Sequence, residues 1–91
     1  MLNIQTIYKY TLSHDNAIQI PKDAVILSAQ FQGYWIQIWA LVDLDNVNET
    51  RFIRVFGTGE YIEKNQKLKH ISTIQKNELV FHVFEVLPEE V

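Results

Sequence analysis

The chain has 91 residues, of which 47% are apolar and 21% charged, and its net charge at pH 7 is -3. This length and composition predict one folded domain over residues 1–91 and exclude a disordered chain. The absence of cysteine excludes disulfides, thiolate metal sites and cysteine nucleophiles, while the negative net charge is the wrong sign for a protein that binds nucleic acid polymers by neutralising phosphates.

Apolar and polar residues alternate with a period near two along most of the sequence, which predicts β-strands. In chain order, strands are expected at residues 4–12, 17–20, 24–32, 34–43, 50–56, 69–75 and 79–86. Three links predict hairpins: the glycine at Gly33, a polar turn at residues 44–49 and a short turn at residues 76–78. These hairpins would join the third strand to the fourth, the fourth to the fifth, and the sixth to the seventh.

Residues 21–23 predict a turn that starts at a proline, with a single helical turn as the alternative. Residues 34–43 carry apolar side chains on both faces, which predicts a strand in the middle of a sheet. The charged and amide-rich stretch 60–68 predicts a loop, with a short strand at Tyr61 and Ile62 as the alternative.

The sequence therefore predicts an all-β fold, because no segment has the sustained period of an amphipathic helix. About seven strands must close into a barrel or stack as two sheets, so we expect a small antiparallel β-sandwich or a half-open barrel. Two tryptophans, four tyrosines and five phenylalanines are hard to bury in one small core, so we expect a homo-oligomer, most simply a dimer. Short apolar stretches and the start of the sequence predict no membrane contact and a cytoplasmic location.

Motifs for catalysis or metal binding are weak. Gly57 and Gly59 resemble part of a phosphate-binding loop, but the pattern lacks a third glycine and a lysine, so a turn that ends a strand is favoured. His14, His70 and His82 do not have the spacing of metal ligands. We find no nucleophile motif either, and we expect no metal, no cofactor and no enzymatic activity.

One strand carries both arginines of the chain. Alternation along residues 50–56 places Arg54 on the same face as Phe52 and Phe56, where its guanidinium either makes a structural cation–π contact or binds a phosphate or carboxylate beside the rings. A charged group between two large apolar side chains is costly to bury without an anionic partner, and this face of the strand supplies none. We therefore select Arg54 as a ligand contact, with an acid from a neighbouring strand as the alternative partner.

Trp39 and His82 complete the predicted ligand contacts. Trp39 offers a stacking plane, and His82 offers a titratable hydrogen-bond donor. If Trp35 and Trp39 lie beside the face of Arg54, the three form an aromatic pocket with one basic group, suited to a nucleotide-like ligand. The alternative for His82 is a hydrogen-bonded, half-buried histidine of the core or of an interface.

Five short motifs together resemble a family of small proteins of unknown function that bacteriophages and prophage-bearing bacteria encode. The motifs lie at residues 7–10 (IYKY), 20–27 (IPKDAVIL), 39–43 (WALVD), 56–59 (FGTG) and 82–85 (HVFE). The resemblance implies a phage-borne protein that acts inside the host cell, and it implies no activity and no catalytic residues.

Two functional hypotheses follow. The first is a non-enzymatic binding protein, such as a phage counter-defence factor that binds a host protein or sequesters a small anionic, nucleotide-like ligand. The second is a structural or assembly module that uses its aromatic faces as subunit contacts. A third hypothesis is an enzyme in which His82 and a carboxylate perform acid–base chemistry, but no sequence motif supports it.

Overall fold

A computed structural model describes residues 3–89, which form seven β-strands and no helix. The all-β class is therefore confirmed, and the predicted strands agree with the observed ones to within a few residues. The strands are β1 (Gln5–Thr11), β2 (Ala17–Pro21), β3 (Val25–Gln32), β4 (Trp35–Asp43), β5 (Asn48–Gly57), β6 (Leu68–Lys76) and β7 (Leu79–Val86). The alternative of a short strand at Tyr61 and Ile62 is wrong, since both lie in the loop between β5 and β6. Residues 3–89 contain no helix with the length and apolar character needed to span a membrane.

The strands form two antiparallel sheets that stack as a sandwich. One sheet has three strands in the order β1-β4-β3, and the other has four in the order β2-β5-β7-β6. The hairpins β3–β4 and β6–β7 are confirmed, and β4 is the central strand of its sheet, as its two apolar faces predict.

The predicted hairpin between β4 and β5 is wrong. The polar turn after β4 exists, since the backbone N–H of Asn46 donates to the backbone carbonyl of Asp43 over 3.2 Å. However, β1 and β3 already occupy both edges of β4, so β5 crosses to the other sheet and pairs there with β2 and β7. A turn signal thus locates the end of a strand without identifying the strand that pairs with it.

The core lies between the sheets and consists mainly of branched aliphatic side chains. Ile38 of β4 has no exposed surface, and Ile53 of β5 and Val83 of β7 are equally inaccessible from the opposite sheet. Each inward side chain occupies every second position of its strand, so the other positions form the outer face of its sheet, which is the face turned away from the other sheet.

One side of the sandwich is partly closed. The edge strands β3 and β6 lie close together there, and the backbone N–H of Ala29 donates to Ser72 Oγ over 2.9 Å. Both strands contain a register shift at this side, between Ile26 and Ser28 in β3 and between His70 and Ser72 in β6, as β-bulges at barrel rims do. The fold is a sandwich with this half-closed side.

Candidate functional site

The three predicted ligand contacts do not come together. Arg54 on β5 and His82 on β7 both lie on the outer face of the four-stranded sheet, because Arg54 pairs with Phe84 and His82 pairs with the next outward residue of β5. Trp39 lies on β4 of the other sheet, with Trp35 on the same strand. The aromatic pocket imagined for Arg54, Trp35 and Trp39 is therefore not formed.

Arg54 is exposed. The expectation that it is buried and therefore needs an anionic partner is wrong, because its charge stays in contact with solvent. Its guanidinium carbon lies 5.0 Å from the centroid of the Phe56 ring, at a distance typical of cation–π contacts. Phe56 is only 2% exposed, and its ring meets the Phe84 ring edge-on at 5.8 Å. Across residues 3–89, the Arg54 side chain makes no hydrogen bond and no ion pair, while its backbone pairs with Phe84 in the ladder. The ring thus orients a guanidinium whose N–H groups face solvent.

His82 belongs to a chain of hydrogen bonds across the outer face of the four-stranded sheet. Its Nε2 lies 2.8 Å from Thr58 Oγ1, and its Nδ1 lies 3.1 Å from Thr73 Oγ1. Thr73 Oγ1 in turn lies 2.9 Å from Nε2 of His70. Both ring nitrogens of His82 are therefore used, which fixes the plane of the ring. The alternative of a hydrogen-bonded, half-buried histidine agrees with this geometry.

The outer face of the four-stranded sheet differs in charge from the protein as a whole. The outward positions of its strands contain no aspartate or glutamate within the described chain. They are occupied by Ala17, Gln19, Pro21, Asn48, Thr50, Phe52, Arg54, Phe56, Leu68, His70, Thr73, Gln75, Val80, His82, Phe84 and Val86. The ionisable groups of this face are thus all basic, although the chain carries a net charge of -3.

Arg51 is the arginine that sequence reasoning overlooked. It points inward, where Nε lies 2.5 Å and Nη2 lies 2.7 Å from the two carboxylate oxygens of Glu85, and Nη1 donates to the carbonyl of Ala24. The side-chain hydrogen bond to Glu85 raises the pKa of Arg51 further above its usual range, although partial burial opposes this. Glu85 itself is 6% exposed. The alternation along β5 could have indicated that Arg51 points inward, since it lies two positions before Ile53, an apolar residue that is buried.

Three clefts of the described structure have volumes of about 630, 370 and 350 Å³, and Arg54 lines none of them. One, of about 630 Å³, borders the Arg51–Glu85 pair and is lined by both acids and bases, among them Glu49 and Lys69. Of its charged side chains, Arg51 and Glu85 form an ion pair, and Glu49 accepts a hydrogen bond from the backbone N–H of Asp23. The cleft of about 370 Å³ also borders this ion pair. The smallest, of about 350 Å³, is lined by aromatic rings that include Phe31 and Tyr34. Above these two rings lies Lys76 Nζ, which also donates to the carbonyl of Gly33 over 2.6 Å.

The turn at Gly57 and Gly59 does not cradle an anion. The Gly57 N–H donates to Oε1 of Glu60 over 3.2 Å, and the Glu60 N–H donates back to the Gly57 carbonyl over 3.1 Å. A carboxylate of the chain thus occupies the position where a phosphate would lie. In residues 3–89, no group of three or more histidine and acidic side chains could hold a metal ion.

Comparison with known proteins gives one match. A family model described as a domain of unknown function, DUF7352, matches residues 3–91. No curated protein and no solved structure matches the chain. The match covers almost the whole sequence and brings no activity with it, so any function must be argued from the residues.

Proposed function

For a chain that belongs to the DUF7352 family of domains of unknown function, we propose the role of a non-enzymatic binding protein that recognises an acidic surface of a partner protein through the outer face of its four-stranded sheet. The observation that carries the proposal is Arg54. Its guanidinium is exposed, held over Phe56 at 5.0 Å, and has no anionic partner among residues 3–89.

The composition of this face supports a protein partner. Arginine and aromatic side chains contribute most of the binding energy at protein interfaces. An arginine that already rests on a ring loses less side-chain freedom when it binds a carboxylate. Since the outward strand positions carry no acid, an acidic partner meets no like charge there. Arg54 lines none of the three clefts, which favours an open contact surface over an enclosed ligand site.

His82 supplies the second contact in this proposal. Thr58 and Thr73 use both nitrogens of its ring, so His82 would contribute the surface of its ring rather than a hydrogen bond, on the same outer face as Arg54. Trp39, the third candidate, is on the three-stranded sheet, so any contact that it makes belongs to a different face of the molecule. The acidic partner is expected to touch Arg54 and His82 and to leave Trp39 free.

A second candidate ligand is a small nucleotide-like anion. Phe52 is 54% exposed and lies on the same face of β5 as Arg54. An exposed ring beside an arginine can stack a base while the guanidinium binds its phosphate. In either case we propose that the setting is the cytoplasm of a bacterial host and that the role is phage counter-defence; the support for both is the resemblance to phage-encoded proteins.

We expect Arg54→Ala to weaken binding by about tenfold or more while the fold is kept, because interface arginines are often hot spots and an exposed cation–π contact contributes only about 0.5–1 kcal/mol. Binding is measured by capture from bacterial lysate with quantitative mass spectrometry, and in parallel with a nucleotide panel. Thermal unfolding of each variant is followed alongside.

Two controls separate the site from the fold. Arg54→Lys keeps the charge and loses the planar fork, so binding should fall to an intermediate level. Lys22→Ala removes an exposed cation from the turn that follows β2, and should leave binding unchanged. Equal loss in Lys22→Ala and Arg54→Ala would mean that only net charge matters, and no loss in Arg54→Ala would refute the proposed face.

A further inference from the structure

We propose that two copies of this chain join through the free edge of β1, which pairs antiparallel with β1 of the partner subunit across a two-fold axis. The two three-stranded sheets would then form one continuous sheet of six strands in the order β3-β4-β1-β1-β4-β3. This dimer is independent of the outer face of the four-stranded sheet, which stays free on both subunits.

The edge strands of the described chain differ in how well they could accept a new strand. Proteins block sheet edges with short strands, prolines and bulges. The strand β2 has five residues and ends at Pro21, and β3 and β6 each contain a register shift and lie against each other. In contrast, β1 stays in unbroken register with β4 from Gln5 to Thr11 and has none of these three features. Its one feature that could block an edge is the charge of Lys9.

The hydrogen bonds at the two ends of β1 reveal which of its backbone groups are free. The Leu12 N–H donates to the Ile36 carbonyl, and the Leu44 N–H donates to the Ile4 carbonyl. Hydrogen-bonded pairs alternate along an antiparallel ladder, so the even-numbered residues of β1 bond to β4. The odd-numbered residues direct their N–H and C=O groups to the open edge. They are Gln5, Ile7, Lys9 and Thr11.

One register uses all four of these residues. With Tyr8 opposite the partner's Tyr8, Ile7 faces Lys9 of the partner subunit and Gln5 faces the partner's Thr11. Every outward N–H and C=O of β1 then has a partner, and Lys9, the one charged residue of the strand, meets an apolar side chain. Sliding the strands until Lys9 opposes the partner's Lys9 places like charges directly across the ladder, which is unfavourable.

The exposed side chains of β1 point to the same occupant. Ile7 is 56% exposed on the outer face of its sheet, and Tyr8 is 47% exposed on the opposite side of the strand. In the register above, the partner's Tyr8 lies against Tyr8, and the first carbons of the partner's Lys9 lie beside Ile7 while its ammonium donates to Gln32 of its own sheet. A second copy therefore satisfies the backbone groups of this edge, keeps its like charges apart and covers its apolar surface.

The absence of cysteine from the chain permits a direct test of the register. Directly opposed, non-hydrogen-bonded residues have Cα atoms about 4.5 Å apart, within the range that a disulfide spans. We expect Tyr8→Cys to give a covalent dimer under mild oxidation. Gln5→Cys is the exposed control on the same strand, since in this register the two Gln5 positions are six residues apart, about 20 Å. Equal cross-linking of both variants, or none in Tyr8→Cys, would refute the register.

A charge exchange at Ile7 tests the same edge without cysteine. Ile7→Lys would oppose the partner's Lys9 twice in the dimer, whereas Ile7→Glu would oppose it with the complementary charge. We expect the dimer dissociation constant, from sedimentation equilibrium, to rise about tenfold or more in Ile7→Lys and to stay level or fall in Ile7→Glu. Thermal unfolding identifies any variant that fails to fold. A wild-type monomer at tens of micromolar, or equal constants for the two variants, would overturn the proposal.

Discussion

Glu85→Ala is expected to lower the free energy of unfolding by about 3–5 kcal/mol, because it removes one partner of a buried ion pair. Glu85 accepts hydrogen bonds from both Nε and Nη2 of Arg51. Without this carboxylate, the guanidinium stays in a largely buried position with the carbonyl of Ala24 as its remaining protein acceptor in the described structure. Denaturant unfolding followed by circular dichroism measures the loss.

The matched control for this prediction is a pair of changes that removes both charges. Arg51→Met together with Glu85→Leu leaves no unpaired charge, and such replacements of buried ion pairs are often close to neutral. We therefore expect the double variant to be more stable than Glu85→Ala alone. Glu78→Ala, in an exposed turn, should change stability by about 0.5 kcal/mol or less. A loss under about 1 kcal/mol in Glu85→Ala would mean that water takes over the role of the carboxylate.

Ile38→Ala is expected to cost about 2–5 kcal/mol, because it removes buried methyl groups and leaves a cavity. Ile38 has no exposed surface and lies on β4 opposite Tyr10 of β1 and Ala29 of β3. Neighbours on both strands hold the backbone in place, so the site cannot collapse around the smaller side chain. The measurement is the midpoint and slope of urea unfolding.

The control for Ile38 is an aliphatic residue at the surface. Leu79 begins β7 and is 63% exposed, so Leu79→Ala should cost under about 1 kcal/mol. If Ile38→Ala costs no more than Leu79→Ala, the packing between the two sheets at the centre of β4 is looser than the structure indicates.

The positions of the strands were predictable from the sequence because alternation is a local property. The pairing of the strands was not, since it depends on competition between segments that are distant in the chain. The turn at residues 44–47 shows the difference: its polar residues end β4 as expected, yet β5 joins another sheet because the edges of β4 are already taken.

The candidate site was predictable in the same partial way. Alternation correctly placed Arg54 with Phe52 and Phe56 and placed Arg51 on the opposite face. It could not say which face is buried, because large aromatic residues occur on both sides of a sheet. The inward position of Glu85, which settles the role of Arg51, follows only from the pairing of β5 with β7. The hydrogen bonds of His82 involve residues of β6 and of the loop after β5, so they could not be predicted from the sequence either.

The crossing of the chain between the sheets also affects how fast the protein folds. Of the five strand pairings in the described structure, two join neighbours in sequence, and three bring together β1 with β4, β2 with β5, and β5 with β7. Chains dominated by such distant pairings fold slowly, in milliseconds to seconds. The reason is that the conformational entropy of the closed loop is lost before the stabilising contacts form. The hairpins β3–β4 and β6–β7 can form within microseconds. Until the slower pairings with β1 and β5 form, one edge of β4 and one edge of β7 therefore remain unpaired.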